Sequence, residues 1–393
     1  MNKNKYLVPL VLVTSLFFLW GLAYGLLDVL NKHFQESLNI TKARSTLLQS
    51  AYFGAYFLVA LPAALFMKRY GYKKGIIAGL LLYAAGACLF YPSAQQSSFN
   101  FFLLSLFVLA SGLACLETAA NPYITVLGEA KTSAFRLNLS QCFNGVGSFI
   151  GPILAANLFF NNKEKQDLGS VQIVYLVIAA VVLMVAGMFM ITKLPEIKEE
   201  REDRQDTKGR SLGSRPHFIN AVIAQFFYVA AQVGVAALFI NYCTEADKHI
   251  DNTKASYLLS VSFLLFTFGR FAGTALMRIV APNRLLSIYA VINILLCLAV
   301  VLLKGWISVY ALMAIFFFES IMFPTIFALG IRDLGDRTKT GASIIIMSIV
   351  GGALIPYAMG ALAEKTTATA YIIPLGCFVI VAWYGWKGYK LKS

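Results

Sequence analysis

The sequence predicts an all-α polytopic membrane protein, with twelve transmembrane helices in two pseudo-symmetric six-helix bundles. Three observations predict it. Of 393 residues, 59% are hydrophobic and only 13% charged, more apolar surface than a soluble chain of this length can hide. Hydrophobic runs recur almost end to end, each about twenty residues long, enough to cross the ~30 Å hydrocarbon layer. The second half also repeats motifs of the first.

Spans are expected at roughly 6–30, 47–67, 74–92, 99–127, 136–160, 171–193, 216–243, 256–280, 284–303, 306–330, 340–362 and 370–390. The first, from Tyr6, is too long for a signal-peptide core and has no small-residue cleavage site, so it reads as a retained helix. An even number of spans puts both termini on one side. Basic residues cluster in alternate loops (Lys68, Arg69, Lys73 and Lys74, then Lys193 to Arg215), while 91–100 carries none. That asymmetry makes the basic side the cytoplasm and explains the net charge of +14 as topology rather than nucleic-acid binding. A bacterial inner-membrane location is expected. The six cysteines, Cys88, Cys115, Cys142, Cys243, Cys297 and Cys377, lack metal-ligand spacing and read as small packing residues.

The long polar stretch divides the chain into 1–193, a linker 194–215 and 216–393. Thr118 to Gly128 aligns with Ser320 to Gly330 at an offset of 202. Gly147 and Pro152 align with Gly351 and Pro356 at 204, and Phe17, Phe18 and Gly25 with Phe226, Phe227 and Gly234 at 209. Parallel six-helix repeats are how major facilitator transporters are built, with the substrate near mid-membrane between the halves.

Polar residues within the spans are few. Glu117 and Asp28 stand out, because a charge at membrane depth costs roughly 2.5–3.5 kcal/mol on insertion scales and normally faces a pathway or a partner. The competing reading is a structural pair, with Arg136 a candidate partner for Glu117. The offset of 202 carries Glu117 onto Glu319, whereas Asp28 has no twin. Trp20, Tyr24 and Asp28 recur at four-residue spacing, and Glu117 and Asn121 lie one turn apart. Asn138, Gln141 and Asn144 share one helix face, as do Gln225, Tyr228 and Gln232. Asn31, Thr118 and Asn241 complete the set.

Carboxylates, amides and aromatic faces together suit a sugar: hydroxyls need paired donors and acceptors, and the C–H faces of the ring stack on aromatic rings. The competing reading is interhelical hydrogen bonding. There is no phosphate-binding G-x-x-x-x-G-K-[ST] loop and no His/Cys cluster, and His33, His217 and His249 are expected outside the spans. No cofactor, metal or enzymatic activity is expected. The energy source is then an ion gradient. Desolvation favours the neutral form of a buried carboxyl, which suits a proton carrier; Na+ is the alternative.

Five stretches carry a family resemblance: SLFFLWGLAYGLLDVLN (15–31), LQSAYFGAYFLVALPAALFMKRYGYKKG (48–75), CLETAANPYITVLG (115–128), RLNLSQCFNGVGSFIGP (136–152) and IMFPTIFALGIRDLG (321–335). They resemble the fucose–galactose–glucose:proton symporter family of the major facilitator superfamily. The resemblance implies that Asp28 and Glu117 are the essential membrane acids, with Asp28 carrying the proton and Glu117 linked to the sugar. It also implies that Gln141 and Asn144 are pocket amides. With the polar set above, the expected substrate-binding residues are Trp20, Tyr24, Glu117, Asn121, Asn138, Gln141, Asn144, Gln225, Gln232, Glu319 and Phe323.

There are departures from the fucose-transporting members. Tyr24, Gly25 and Leu27 replace asparagines, Phe323 replaces a tyrosine, and Glu319 is an added acid. The expected activity is import of a monosaccharide, L-fucose or a related hexose, with a proton by alternating access, in a monomer. Glucose, galactose or a hexosamine are alternative substrates. A drug:proton antiporter on the same fold is the rival, against which the many amides count. A membrane sensor or enzyme on this scaffold is a further rival.

Overall fold

The computed structural model describes residues 7–127, 133–160, 168–192, 194, 212–334 and 337–391. Most of the linker therefore lies outside the described residues, as does the side chain of Asn138. Among the described residues, twelve helices, or kinked pairs of helices, are long and apolar enough to cross a membrane, and each overlaps an expected span. This is a multi-pass membrane protein. Its outward faces agree, since Ile173 and Met184 are each 65% exposed, an arrangement that suits lipid and not water.

In chain order the helices begin with α1 (Leu7–Ser37), α2 (Lys42–Ser45), α3 (Leu47–Tyr70), α4 (Tyr72–Gln95), α5 (Phe99–Val126), α6 (Ser133–Phe159) and α7 (Gly169–Ile191). They continue with α8 (Pro216–Ala237), α9 (Phe239–Ala246), α10 (Asn252–Leu276), α11 (Pro282–Leu302), α12 (Trp306–Glu319) and α13 (Met322–Gly330). The last are α14 (Thr338–Met347), α15 (Gly351–Leu362), α16 (Thr367–Ala370) and α17 (Ile372–Trp383). Starts follow local chemistry. The Ser98 and Asp251 side chains accept from the Phe101 and Lys254 amides, and Pro216 and Pro282 open α8 and α11, where a missing N–H costs nothing.

Two histidine expectations are corrected. The first span continues to Ser37, carried past its apolar run by the Lys32–Glu36 pair at 3.0 Å. His33 is therefore inside it, 1% exposed, and stacked on Phe159 at 5.0 Å. His217 is also inside a span, buried in the first turn of α8, with its Nε2 2.9 Å from the Arg332 carbonyl. A break at Leu238 moves Asn241 out of the seventh span into α9.

The chain forms two compact units, Met1–Ile40 with Ala51–Glu200, and Thr41–Ser50 with Arg201–Ser393. In the first unit α1 and α6 meet along a seam of small residues. Any side chain at Gly21 would collide with the Asn144 carbonyl, and a Cβ at Gly25 would lie 2.6 Å from the Ser148 carbonyl. Gly147 and Gly151 complete the seam from the other side, against Phe18 and Gly25. Such contacts let membrane helices approach backbone to backbone. Gly21→Val is expected to cost several kcal/mol, beyond the ~1–3 of ordinary overpacking because the obstacle is main chain. Gly187→Ala, with nothing within 4 Å, should be neutral. Melting temperatures in detergent check both.

In the second unit Pro324 cannot bond to the carbonyl four residues back. That carbonyl belongs to Ser320, and it accepts from Arg270 Nε at 3.4 Å. The kink between α12 and α13 falls at this point.

Residues 41–50, which hold α2 and the first turn of α3, pack within the second unit. Lys42 Nζ is 2.5 Å from Glu245 Oε1 and donates to the Ala363 carbonyl at 2.8 Å. Glu245 also accepts from the Thr367 amide at 2.8 Å and the Thr367 hydroxyl at 2.7 Å. Burial would raise the Glu245 carboxyl, but the Lys42 ammonium and the two Thr367 bonds outweigh it and hold it below the usual value. The stabilisation is therefore complete above about pH 4.3 and is lost as pH falls through the depressed value. With 39% of the Glu245 side chain exposed, screening limits it to about 1 kcal/mol. Lys42→Met should lower the melting temperature slightly at pH 7, with a smaller difference in acid. An equal loss at both pH values would mean lost packing instead of lost charge.

Candidate functional site

The first unit gathers most of the expected site. Leu16, Phe17 and Trp20 of α1 face Leu116, Glu117 and Ala120 of α5 across a small open recess. One indole and one carboxylate on otherwise apolar walls can stack a flat C–H face while accepting from a hydroxyl. Glu117 is half-buried and has no ion-pair partner among the described residues. Arg136 Nε instead donates to the Ile124 carbonyl at 3.1 Å.

Asp28 lies two turns beyond Trp20 on the same stripe of α1 and is 2% exposed. Tyr24 stands between them, with its ring centroid 6.5 Å from Tyr52 and 6.4 Å from Phe53. Asn121, one turn after Glu117, keeps a buried Oδ1 that accepts no hydrogen bond among the described residues. Asn144 donates to the Phe17 carbonyl at 3.2 Å, so its amide ties α6 to α1. Gln141 is half-buried on α6.

Sequence reasoning missed Tyr52 and Tyr56 of α3. Both are buried, their rings stack at 5.3 Å and their hydroxyls lie 3.5 Å apart. Among nineteen tyrosines, nothing in their spacing separates them from ordinary core aromatics.

The second unit has its own polar group. Glu319 is fully buried, and neither carboxylate oxygen has a hydrogen bond among the described residues. Tyr228 donates to the Glu319 backbone carbonyl at 3.1 Å, and its ring is 6.4 Å from Phe323. Gln225 is fully buried with neither amide atom bonded among the described residues, and Gln232 is half-buried. No cluster of three or more metal-ligating side chains occurs among the described residues.

The sequence profile of the Major Facilitator Superfamily matches residues 13–356. This chain belongs to that superfamily. It is 39% identical to the L-fucose-proton symporter of Escherichia coli (strain K12), over 97% of this chain and 93% of that protein. It is 36% identical to the glucose/galactose transporter of Brucella abortus biovar 1 (strain 9-941), over 99% and 96%. The crystal structure of the major facilitator transporter FucP in the outward conformation superposes with a TM-score of 0.70 at 38% identity, covering 97% of this chain and 98% of that one. An inward-facing bacterial homologue of human Spinster gives 0.79 at 15% identity, covering 98% and 97%, a likeness of fold alone. The major facilitator fold is thus established along nearly the whole chain. The resemblance to the fucose–galactose–glucose:proton symporter family holds with it.

Proposed function

We propose that this major facilitator protein is a secondary active transporter, not an enzyme, importing a monosaccharide together with a proton by alternating access. The observation that carries the reading is the recess in which Trp20 meets Glu117, on the same helix stripe that bears the buried Asp28. Whole-length similarity to a fucose and a glucose/galactose transporter supports the substrate class. Trp20 stacks the sugar ring, Glu117 accepts from its hydroxyls, and Asn121, Gln141 and Asn144 line the approach.

Asp28 binds the coupling proton, because an ionised carboxyl is costly to carry through a closed, water-excluded state. Gln225, Gln232, Glu319 and Phe323 supply the polar and aromatic groups of the second unit. L-fucose is the leading substrate, with glucose, galactose and N-acetylglucosamine next. The protein resides in a bacterial inner membrane as a monomer, with both termini cytoplasmic.

The test is sugar-induced pH change in de-energised vesicles. Alkalinisation outside with one of these four sugars establishes symport and names the substrate. A folded preparation silent to all four refutes the reading, and a signal that requires Na+ replaces the coupling ion.

A further inference from the structure

We propose that the turn between α3 and α4 binds an anionic phospholipid, with Arg69 and Lys74 on its phosphate and an acyl chain along Leu58, Leu61 and Leu65. The site is independent of the transported sugar and of the coupling proton. Gly71, at a φ of +87°, follows the last residue of α3, and α4 starts at the next position. Residues with a side chain rarely adopt that backbone, so the turn can be this tight because a glycine makes it. Two cations from its two sides reach one ring. The Arg69 guanidinium carbon is 5.2 Å and the Lys74 Nζ 5.8 Å from the centroid of Tyr70.

Each cation is drawn to the ring, but two like charges gathered there repel until an anion joins them. Lys68, Arg69 and Lys74 are exposed and have no ion-pair partner among the described residues. Lys73, from the same turn, is the contrast. Its Nζ donates to the Met190 and Thr192 carbonyls, both at 2.9 Å, and is spent on the end of α7. Topology accounts for how many basic residues this loop carries, and not for their convergence on one ring.

The apolar half of the site lies on α3. Leu58, Leu61 and Leu65 are each more than half exposed. Their three- and four-residue spacing makes one stripe, which ends on Arg69 four residues later. A chain lying along the leucines brings its headgroup to Arg69, whose fork matches two phosphate oxygens while Lys74 adds a point charge. The leucines accept any lipid. The cations select one with a net negative headgroup, since a zwitterionic lipid brings its own ammonium against them.

The test is the melting temperature of the full chain in neutral detergent, titrated with dioleoylphosphatidylglycerol, dioleoylphosphatidylcholine or inorganic phosphate. A ligand of the folded state raises it in proportion to occupancy. Phosphatidylglycerol should raise it saturably and the other two should not. Arg69→Gln and Lys74→Gln should each move the midpoint of that titration about fivefold to higher lipid, the weight of one cation at a membrane surface. Arg284→Gln, which removes an exposed arginine from the first turn of α11, should leave the midpoint where it is. Equal stabilisation by phosphatidylcholine overturns the proposal, because the leucines alone would then account for binding. Equal stabilisation by inorganic phosphate overturns it in favour of a free-anion site. So does an unmoved midpoint in Arg69→Gln and Lys74→Gln, or an equal shift in Arg284→Gln, which makes the attraction a property of the whole basic surface.

Discussion

Asp28→Asn should abolish uphill sugar accumulation while leaving sugar-for-sugar exchange intact. Asparagine matches aspartate in size and is neutral, so it fills the same buried site, where Asp28 is 2% exposed, without a charge to desolvate. It cannot release or rebind a proton. In a one-proton symporter each pH unit of gradient drives a tenfold sugar gradient, the equivalent of about 1.36 kcal/mol. With the carrier fixed in a neutral form that drive is disconnected, and the accumulation ratio falls to about one whatever the imposed gradient. Radiolabelled sugar uptake against a pH step measures the ratio, and counterflow in the same vesicles measures exchange. Accumulation that survives intact would remove Asp28 from proton carriage.

Glu117→Gln should instead weaken the sugar itself. Glu117 lines the recess opposite Trp20 and has no ion-pair partner among the described residues to absorb its acceptor capacity. An ionised carboxylate accepts charge-assisted hydrogen bonds from hydroxyls, each worth about 1.5–3 kcal/mol. Glutamine keeps one carbonyl acceptor, loses the charge and adds donors. Affinity should drop by roughly 10- to 100-fold, read as sugar-dependent quenching of tryptophan fluorescence, with Trp20 as the reporting ring. The Asp28→Asn protein should lose far less affinity, so the pair of variants separates binding from coupling. Unaltered affinity and unaltered coupling in Glu117→Gln would exclude it from the mechanism.

Much of this was legible in the sequence because the bilayer imposes a simple length and polarity rule. All twelve spans were readable from hydropathy, and Asp28 and Glu117 were conspicuous because acids are rare there. The rule failed where polar residues continue a helix: Lys32, His33, Gln35 and Glu36 lower the hydropathy without ending α1, which hid His33. It also gives no rotation for a helix. The spacing of Asn138, Gln141 and Asn144 put them on one face, yet only the packing shows Asn144 spending its amide on the Phe17 carbonyl. Tyr52 escaped for the opposite reason, since a tyrosine at helical spacing in an apolar run looks like any core aromatic.

The ten residues from Thr41 to Ser50 bear on how the protein can be divided. A break in the 194–215 linker looks like a clean way to obtain two independent six-helix fragments. The fragment ending there carries Lys42, whose acceptors Glu245 and the Ala363 carbonyl lie on the other fragment. The other fragment carries Glu245 and Glu364 without the ammonium and the Ala43 amide that they hold in the intact chain. Each half made alone leaves polar groups unmatched that the whole chain satisfies. Complementation of separately encoded halves therefore calls for synthesis in the same cell, where the Thr41–Ser50 segment can meet the second unit as the two fragments fold.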